Sequence, residues 1–375
     1  MSIESILKRI LILDQGGTFY SFINADGKQW IMPERNMRTA MCLYQPSGIK
    51  GKIMKRWFPI FCHIRILRRM VHASKITCTM KKELYHILCR SFHTNRLEFA
   101  IFCGTPSPQQ KLTIQIYNGY RILGYCKISS KSNVLLLFQK EVKLLSYLRS
   151  KDITCTPKPL FCGENNDLYL FLQSSYKTIH SKSIHHFGKI HFEFVQTLYQ
   201  KTKVDISFYD TNFYQDIIYL EGTKKNFKIT DRKNLARSID MITTYYSRKH
   251  IFSFYHGDFT PWNTFVERNR LYAFDFEYAG KTFPPYMDLI HFILETARIE
   301  KKMKVTSILN YLDQYKKKLK IKNIDFYILC LAYLIHILAS YTKIYDGHFP
   351  QTDNGYMFWT KSTSLLLQRI HTLTD

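Results

Sequence analysis

The spacing of apolar residues changes period along the chain, and each change predicts a different element. Residues 18–24 and 29–32 alternate around Ala25-Asp26-Gly27-Lys28, which predicts a hairpin closed on Asp-Gly. A loop-rich stretch with Pro33, Pro46, Gly48 and Gly51 follows. Residues 60–71 then mix apolar side chains with Arg65, Arg68 and Arg69, and the length predicts an amphipathic helix with a basic face. Residues 81–90 also read as helix. From Leu97 the period falls to two, and LEFAIFCG, KLTIQIYN and ILGYCKI predict three antiparallel strands. A helix is predicted over 135–148, where Leu137, Leu144, Leu145 and Leu148 share a face with Glu141. Residues 157–163 and 167–173 predict another strand pair across Glu164-Asn165-Asn166.

Beyond this point the pattern is mainly helical. Segments 187–201, 232–247 (capped at Thr230-Asp231), 287–297, 305–319, 324–341 and 356–372 carry helical spacing. Two short apolar runs, 251–254 and 271–274, interrupt them as strands. The polar turn from Glu267 to Arg270 suits a hairpin that would carry Asp258, Asn263 and Asp275 to one edge. The longest apolar stretch, 326–341, is broken by His336 and falls short of the roughly 20 residues of a spanning helix, so a buried helix is expected. The run 10–13 is too short for a secretory leader and ends at Asp14.

Composition narrows the class. A 375-residue chain with 46% hydrophobic and 15% aromatic residues can build a sizeable core and more than one domain. Lys and Arg number 54 against 29 Asp and Glu, a formal net charge of +25, which favours anionic partners. The basic residues are scattered among aromatics and no zinc-finger or RNA-binding motif is present, so nucleic acid is not expected. The nine cysteines are odd in number with no C-x-x-C pair, which points to free thiols in a reducing cytosol. His185-His186 lies in a histidine-rich stretch without cysteine or carboxylate at ligand spacing, and hydrogen-bonded histidines are expected there.

The chemistry concentrates in YHGDFTPWNTFVERNRLYAFDFE, residues 255–277. Magnesium takes oxygen ligands, usually few of them from protein, and Asn263 and Asp275 offer an amide oxygen and a carboxylate. Asp258 remains to orient an acceptor hydroxyl and take its proton. HGDFTPWN followed by FDFE resembles the catalytic loop and metal-binding segment of the aminoglycoside phosphotransferase and choline kinase group. That resemblance covers roughly residues 97–345 and is strongest over 255–288. It implies an α+β, two-lobed protein-kinase-like fold with an antiparallel-sheet N-lobe over 95–173 and a mostly helical C-lobe over 174–375. Residues 1–94 are an N-terminal accessory region outside it. It further implies Asp258 as catalytic base and Asn263 and Asp275 as magnesium ligands. Glu277 stands where protein kinases have glycine, which argues against a protein substrate. Asp288 would anchor the catalytic loop.

The same resemblance implies an ATP site. The loop 104–110, with Ser107, would cover the phosphates, although it has one glycine and two prolines. Phe171 and Gln173 would lie at the hinge that meets adenine. Lys127, at the end of its strand, would reach the phosphates and pair with Glu141, since a carboxylate on an apolar helix face needs a partner. Local pairing of Glu141 with Lys140 or Lys143 is the alternative. The expected function is an ATP- and magnesium-dependent phosphotransferase acting on a hydroxyl of a sugar, glycolipid or small molecule. The charge favours an anionic acceptor such as a lipopolysaccharide or surface-polysaccharide sugar. The alternatives are an aminoglycoside or choline kinase and a pseudokinase scaffold without turnover. A cytoplasmic location is expected, with peripheral contact to an anionic membrane surface through 60–71.

Overall fold

The computed structural model describes residues 2–24, 26–46, 48–319 and 323–374. Ala25, in the turn of the first expected hairpin, lies outside them. The chain forms two compact units. One comprises Met1–Ser150, Thr154–Ser183 and Phe265–Glu277, the other Lys151–Ile153, Ile184–Thr264 and Tyr278–Asp375.

The first unit is built on one antiparallel sheet of eight strands: β1 (Leu11–Ile23), β2 (Gln29–Pro33), β3 (Ser74–Met80), β4 (Glu98–Phe102), β5 (Leu112–Asn118), β6 (Arg121–Ser129), β7 (Pro159–Asn165) and β8 (Leu168–Ser174). Their order is β3-β1-β2-β4-β5-β6-β8-β7, so residues before Leu97 supply three strands that continue the others. Successive side chains of a strand point to opposite faces, and both faces here are apolar. Phe19, Ile31, Ile101 and Ile114 pack on one side with the helices Ile3–Ile10 and Lys82–Ser91. Tyr20, Trp30, Met32 and Ala100 pack on the other with Phe58 and Cys62. The helix Ser132–Ser150 buries Phe138, Glu141, Leu145 and Leu148, and Phe138 meets Phe171 of β8 at 5.9 Å between ring centroids.

Two expectations are corrected here. Residues 60–71 are not one helix. A helix Ile49–Phe61, with Pro59 in its last turn, ends at Cys62, and a second runs Arg65–Met70. The Arg68 guanidinium donates to the Cys62 carbonyl at 3.2 Å across the break. The hairpin expected at the turn Glu267–Arg270 is present, but its strands are β11 (Thr264–Glu267) and β12 (Arg270–Ala273), and the run 251–254 is not part of it. Its two-residue turn, Arg268-Asn269, has φ of 49° and 60°, the type I′ geometry that suits the strand twist.

In the second unit β10 (Ile251–Tyr255) lies between the two-residue β9 (Val204–Asp205) and β13 (Gly280–Phe283). Helices pack around the helix Asn323–Ile344, which by length and composition alone could cross a membrane. Here it is the core: every residue from Phe326 to Ile335 is buried. His336 is buried too, with Nδ1 2.6 Å from Asp216 Oδ2, while Lys343 Nζ lies 2.5 Å from Asp216 Oδ1. Burial alone would raise the Asp216 carboxyl, but His336 and Lys343 outweigh it and hold it below its usual range. Asp216→Ala is expected to cost about 3 kcal/mol, the lower end for breaking a buried ion pair, read as a drop in thermal midpoint. Because the folded value is depressed, the contribution is present above the unfolded carboxyl value of about 4 and is lost as pH falls through the folded value.

Candidate active site

In the first unit, sequence-distant charges converge. Lys127 Nζ lies 2.9 and 2.7 Å from the two Glu141 oxygens and 2.7 Å from Asp275 Oδ1. Lys127 follows from β6, whose alternation turns it away from the apolar core that Cys126 and Ile128 join. Glu141 comes from the helix Ser132–Ser150, and its Oε1 also accepts the Phe276 N–H at 3.1 Å. Asp275 follows β12. The Ala273 N–H donates to the Cys155 carbonyl at 3.1 Å, and Asp275 then takes φ +70°, a left-handed backbone that aspartate tolerates better than most residues. Burial would lower the Lys127 ammonium value, but Asp275 and Glu141 raise it above the ordinary one. Burial pushes the Glu141 carboxyl up and Lys127 pulls against it.

Lys111 and Glu277 form a second ion pair beside the first. One carboxylate oxygen each of Glu141, Asp275 and Glu277 lies within 4.8 Å of the others, so two ammonium groups face three acids. Glu277 was noticed in the sequence only as a replacement for glycine, and Lys111 was missed. Its partner lies 166 residues away, and nothing local marks it.

Phe171 is fully buried in β8, directly opposite Lys127 in the register, with Lys127 Nζ 5.7 Å from its ring centroid. Gln173 lines a cleft with Tyr125, Thr156, Lys177, Phe265 and Phe274. Its Oε1 is buried without a hydrogen-bond partner among the described residues. Lys177, also missed, is buried there. Its Nζ donates to the Cys42 carbonyl at 3.0 Å, and burial pulls its ammonium value down to about 7. Ser107 is exposed in the loop between β4 and β5. Gly104 opens that loop at φ +78°, where a Cβ would meet the Lys111 carbonyl oxygen at 2.1 Å, and Lys131 Nζ donates to the Pro108 carbonyl at 2.7 Å.

In the second unit the loop after β10 carries Asp258 and Asn263. Asn263 Nδ2 donates to Asp258 Oδ2 at 2.7 Å and to the Asp258 carbonyl at 3.1 Å, which leaves Asn263 Oδ1 as the atom it could offer to a cation. The loop is pinned from below: the His256 N–H lies 3.1 and 3.0 Å from the two carboxylate oxygens of Asp288, at the start of the helix Met287–Glu295. Burial raises the Asp288 carboxyl to about 7, against the pull of the His256 and Gly257 N–H groups. Gly257 has φ +84°, and a Cβ there would strike the Tyr278 carbonyl oxygen at 2.5 Å, so no other residue fits.

His291 completes the setting. Its Nε2 lies 3.2 Å from Asp258 Oδ1 and its Nδ1 3.3 Å from the Tyr255 hydroxyl. Burial lowers its imidazole value to about 4, so the ring is neutral at pH 7. The Asp258 carboxylate can only accept, so Nε2 must be the donor and Nδ1 is left to accept from the Tyr255 hydroxyl. The network then puts the ring proton on Nε2, where it donates to Asp258. Asp258 thus accepts from Asn263 on Oδ2 and from His291 on Oδ1, with its side chain 30% exposed. A signal for His291 was present: it follows Asp288 by three residues, hence on the same helix face.

The sequence matches no protein-family model and no curated protein. Among solved structures the chain is similar to choline kinase LicA from Streptococcus pneumoniae, with 11% identity over 78% of this chain and 100% of that one, TM-score 0.50. It is also similar to choline kinase from Cryptosporidium parvum, with 14% identity over 79% and 97% and a TM-score of 0.47. A third is aminoglycoside phosphotransferase APH(3'')-Id from Streptomyces rimosus in complex with ADP and streptomycin, with 13% identity over 68% and 99% and a TM-score of 0.42. The chain has the protein-kinase-like fold, an antiparallel-sheet part followed by a mostly helical part, as HGDFTPWN and FDFE led one to expect.

Proposed function

We propose that the protein is a phosphotransferase that moves a phosphoryl group from ATP, with magnesium, to a hydroxyl of a sugar, glycolipid or other small molecule. The observation that carries this reading is the Asp258 carboxylate, part-exposed and fixed by a donor on each oxygen. Such a group can orient an acceptor hydroxyl and take its proton as the oxygen becomes a nucleophile, on a fold shared with a choline kinase. The remaining residues suit the cofactors. Lys127 and Lys111 offer ammonium groups to phosphates, with Glu141 holding Lys127. Ser107 lies in the loop assigned to the phosphates. The unpartnered Gln173 Oε1 could accept from a purine, with Phe171 packed in the strand behind Lys127. Asn263 Oδ1 and Asp275 are oxygen donors of the kind magnesium prefers. Bound magnesium would neutralise charge on the transferred group.

The acceptor we propose is an anionic sugar of a lipid-linked or surface polysaccharide, lipopolysaccharide included. LicA and the Streptomyces enzyme bear the names of choline and aminoglycoside kinases, whose acceptors are cations. A chain at +25 repels cations at long range. ATP use and nine free thiols support a cytosolic location. The test is transfer from ATP and magnesium to a panel of lipopolysaccharide, soluble glycans, choline and aminoglycosides, read by mass spectrometry as gain of one phosphate. Transfer to an anionic glycan is expected. Transfer only to a cation overturns the acceptor. Binding of ATP with no transfer and no hydrolysis favours a scaffold, the reading that Pro106 and Pro108 support by removing N–H donors from the phosphate loop.

A further inference from the structure

The helix Ile49–Phe61 has two apolar faces, and the structure covers only one. Met54, Phe58 and Phe61 turn inward to the cluster around Tyr20 and Trp30. Ile49, Ile53, Trp57 and Ile60, spaced by four, four and three residues, form the outer stripe and are exposed, Trp57 by 49%. The stripe continues through Ile64 to Ile66 and Met70 of the helix Arg65–Met70, exposed by 74% and 72%. That helix buries none of its residues. Exposed apolar residues are ordinary when scattered; a contiguous stripe over two helices marks an interaction surface.

Charge decides what covers it. From Arg35 to Lys82 the sequence contains no Asp or Glu and twelve Lys or Arg. Their side chains divide by placement. Lys55 is desolvated, which lowers its ammonium value. Arg68 lies over the Tyr20 ring at 5.6 Å and bonds the Cys62 carbonyl, so it braces the scaffold. Lys50, Lys52, Arg56, Arg65 and Arg69 are exposed along the apolar stripe. The Arg56 guanidinium lies over the Trp57 ring, 5.8 Å from its centroid, pairing a cation with an aromatic face. An apolar face that includes Trp57 and is flanked by Lys50, Lys52, Arg56, Arg65 and Arg69, with Glu34 beside His63 as the one acid near the helix break among the described residues, matches the acyl and headgroup layers of an anionic lipid surface. A basic helix on a solvated face would show the same arginines without exposed isoleucines beside them.

We propose that the helices Ile49–Phe61 and Arg65–Met70 dock the protein onto an anionic lipid bilayer, with Ile53, Trp57 and Ile66 in the apolar layer and Arg65 and Arg69 at the headgroups. The proposal stands apart from the phosphotransfer reading, because binding is measured without nucleotide or acceptor. The experiment is co-sedimentation of the full chain with vesicles of phosphatidylcholine, alone or mixed with phosphatidylglycerol, across a salt series, with light scattering of the free protein.

Binding to the mixed vesicles is expected to exceed binding to the neutral ones and to fall with salt, as the screening length shortens from about 8 Å at physiological ionic strength to about 3 Å at 1 M. Arg65→Ala with Arg69→Ala should weaken low-salt binding about tenfold or more. Ile53→Ser with Trp57→Ser should abolish it at every salt, with thermal unfolding unchanged because both side chains face solvent. No binding at low salt, equal binding to neutral vesicles, or equal binding by the variants overturns the proposal. A free-protein dimer that Ile53→Ser with Trp57→Ser dissociates overturns it too, in favour of a second copy as the occupant.

Discussion

Asp258→Asn is expected to lower turnover by about 10²–10⁴-fold, the usual worth of general-base assistance, while leaving nucleotide affinity within about twofold. The substitution keeps the shape of the side chain and removes its charge. In the native loop both carboxylate oxygens accept, Oδ2 from Asn263 and Oδ1 from His291. An amide can accept from only one of them, and its NH₂ then faces a donor. The His291 ring, neutral with its proton on Nε2, has no acceptor to offer from that side. The proposed base is lost, and so is the fixed orientation, yet Asp288 still holds the loop backbone through the His256 N–H. Steady-state rates and calorimetric ATP titration on the same preparation check this. Full activity in Asp258→Asn would remove Asp258 from the chemistry. A parallel loss of ATP affinity would show that the loop itself had moved.

Which parts of this site are legible in the sequence depends on how far apart its partners lie and how strong each local pattern is. HGDFTPWN is read from a single loop, because the turn at Gly257 and the spacing of Asp258 and Asn263 are local. The Lys127–Glu141 contact is legible for a related reason. The two residues are fourteen apart on one strand and the next helix, and a buried carboxylate must find a cation. Lys111–Glu277 offers no such constraint. The strand partners of β10 were illegible because β9 has two residues and β13 four, too short for any alternation to register. In the N-terminal 94 residues the Asp-Gly hairpin was clear. The alternation Ile76, Cys78, Met80 of β3 is clear only afterwards, diluted by Thr77 and Thr79. At the break at Cys62 Arg68 reaches back to a carbonyl, a contact with no sequence period. Periodicity also does not say which of two apolar faces is buried. Met54 and Phe58 read no differently from Ile53 and Trp57 until the sheet is present to cover one pair.

Asp275→Ala is expected to weaken magnesium-dependent ATP binding by at least about 100-fold, since even residues that only support a metal ligand are worth about 10–100-fold. Asp275 is the charged member of the proposed ligand pair, and an amide oxygen such as that of Asn263 holds a divalent cation weakly alone. The native contact of Asp275 with Lys127 sharpens the test. Removing the carboxylate leaves Lys127 bonded to both Glu141 oxygens, so the ammonium stays charged and placed for phosphate. The metal-independent component of ATP binding should therefore survive, or strengthen slightly as one competing acid is gone. Alanine at φ +70° adds backbone strain, so Asp275→Asn is the companion variant: asparagine tolerates that conformation and removes only the charge. Both variants should show the same loss of magnesium dependence, with Asp275→Asn closer to wild type in thermal stability. Calorimetric titration of ATP with and without magnesium separates the outcomes. Magnesium dependence that persists undiminished in Asp275→Asn would remove Asp275 as the charged metal ligand. It would point instead to Glu277, whose carboxylate oxygen lies within 4.8 Å of that of Asp275 and is tied to Lys111.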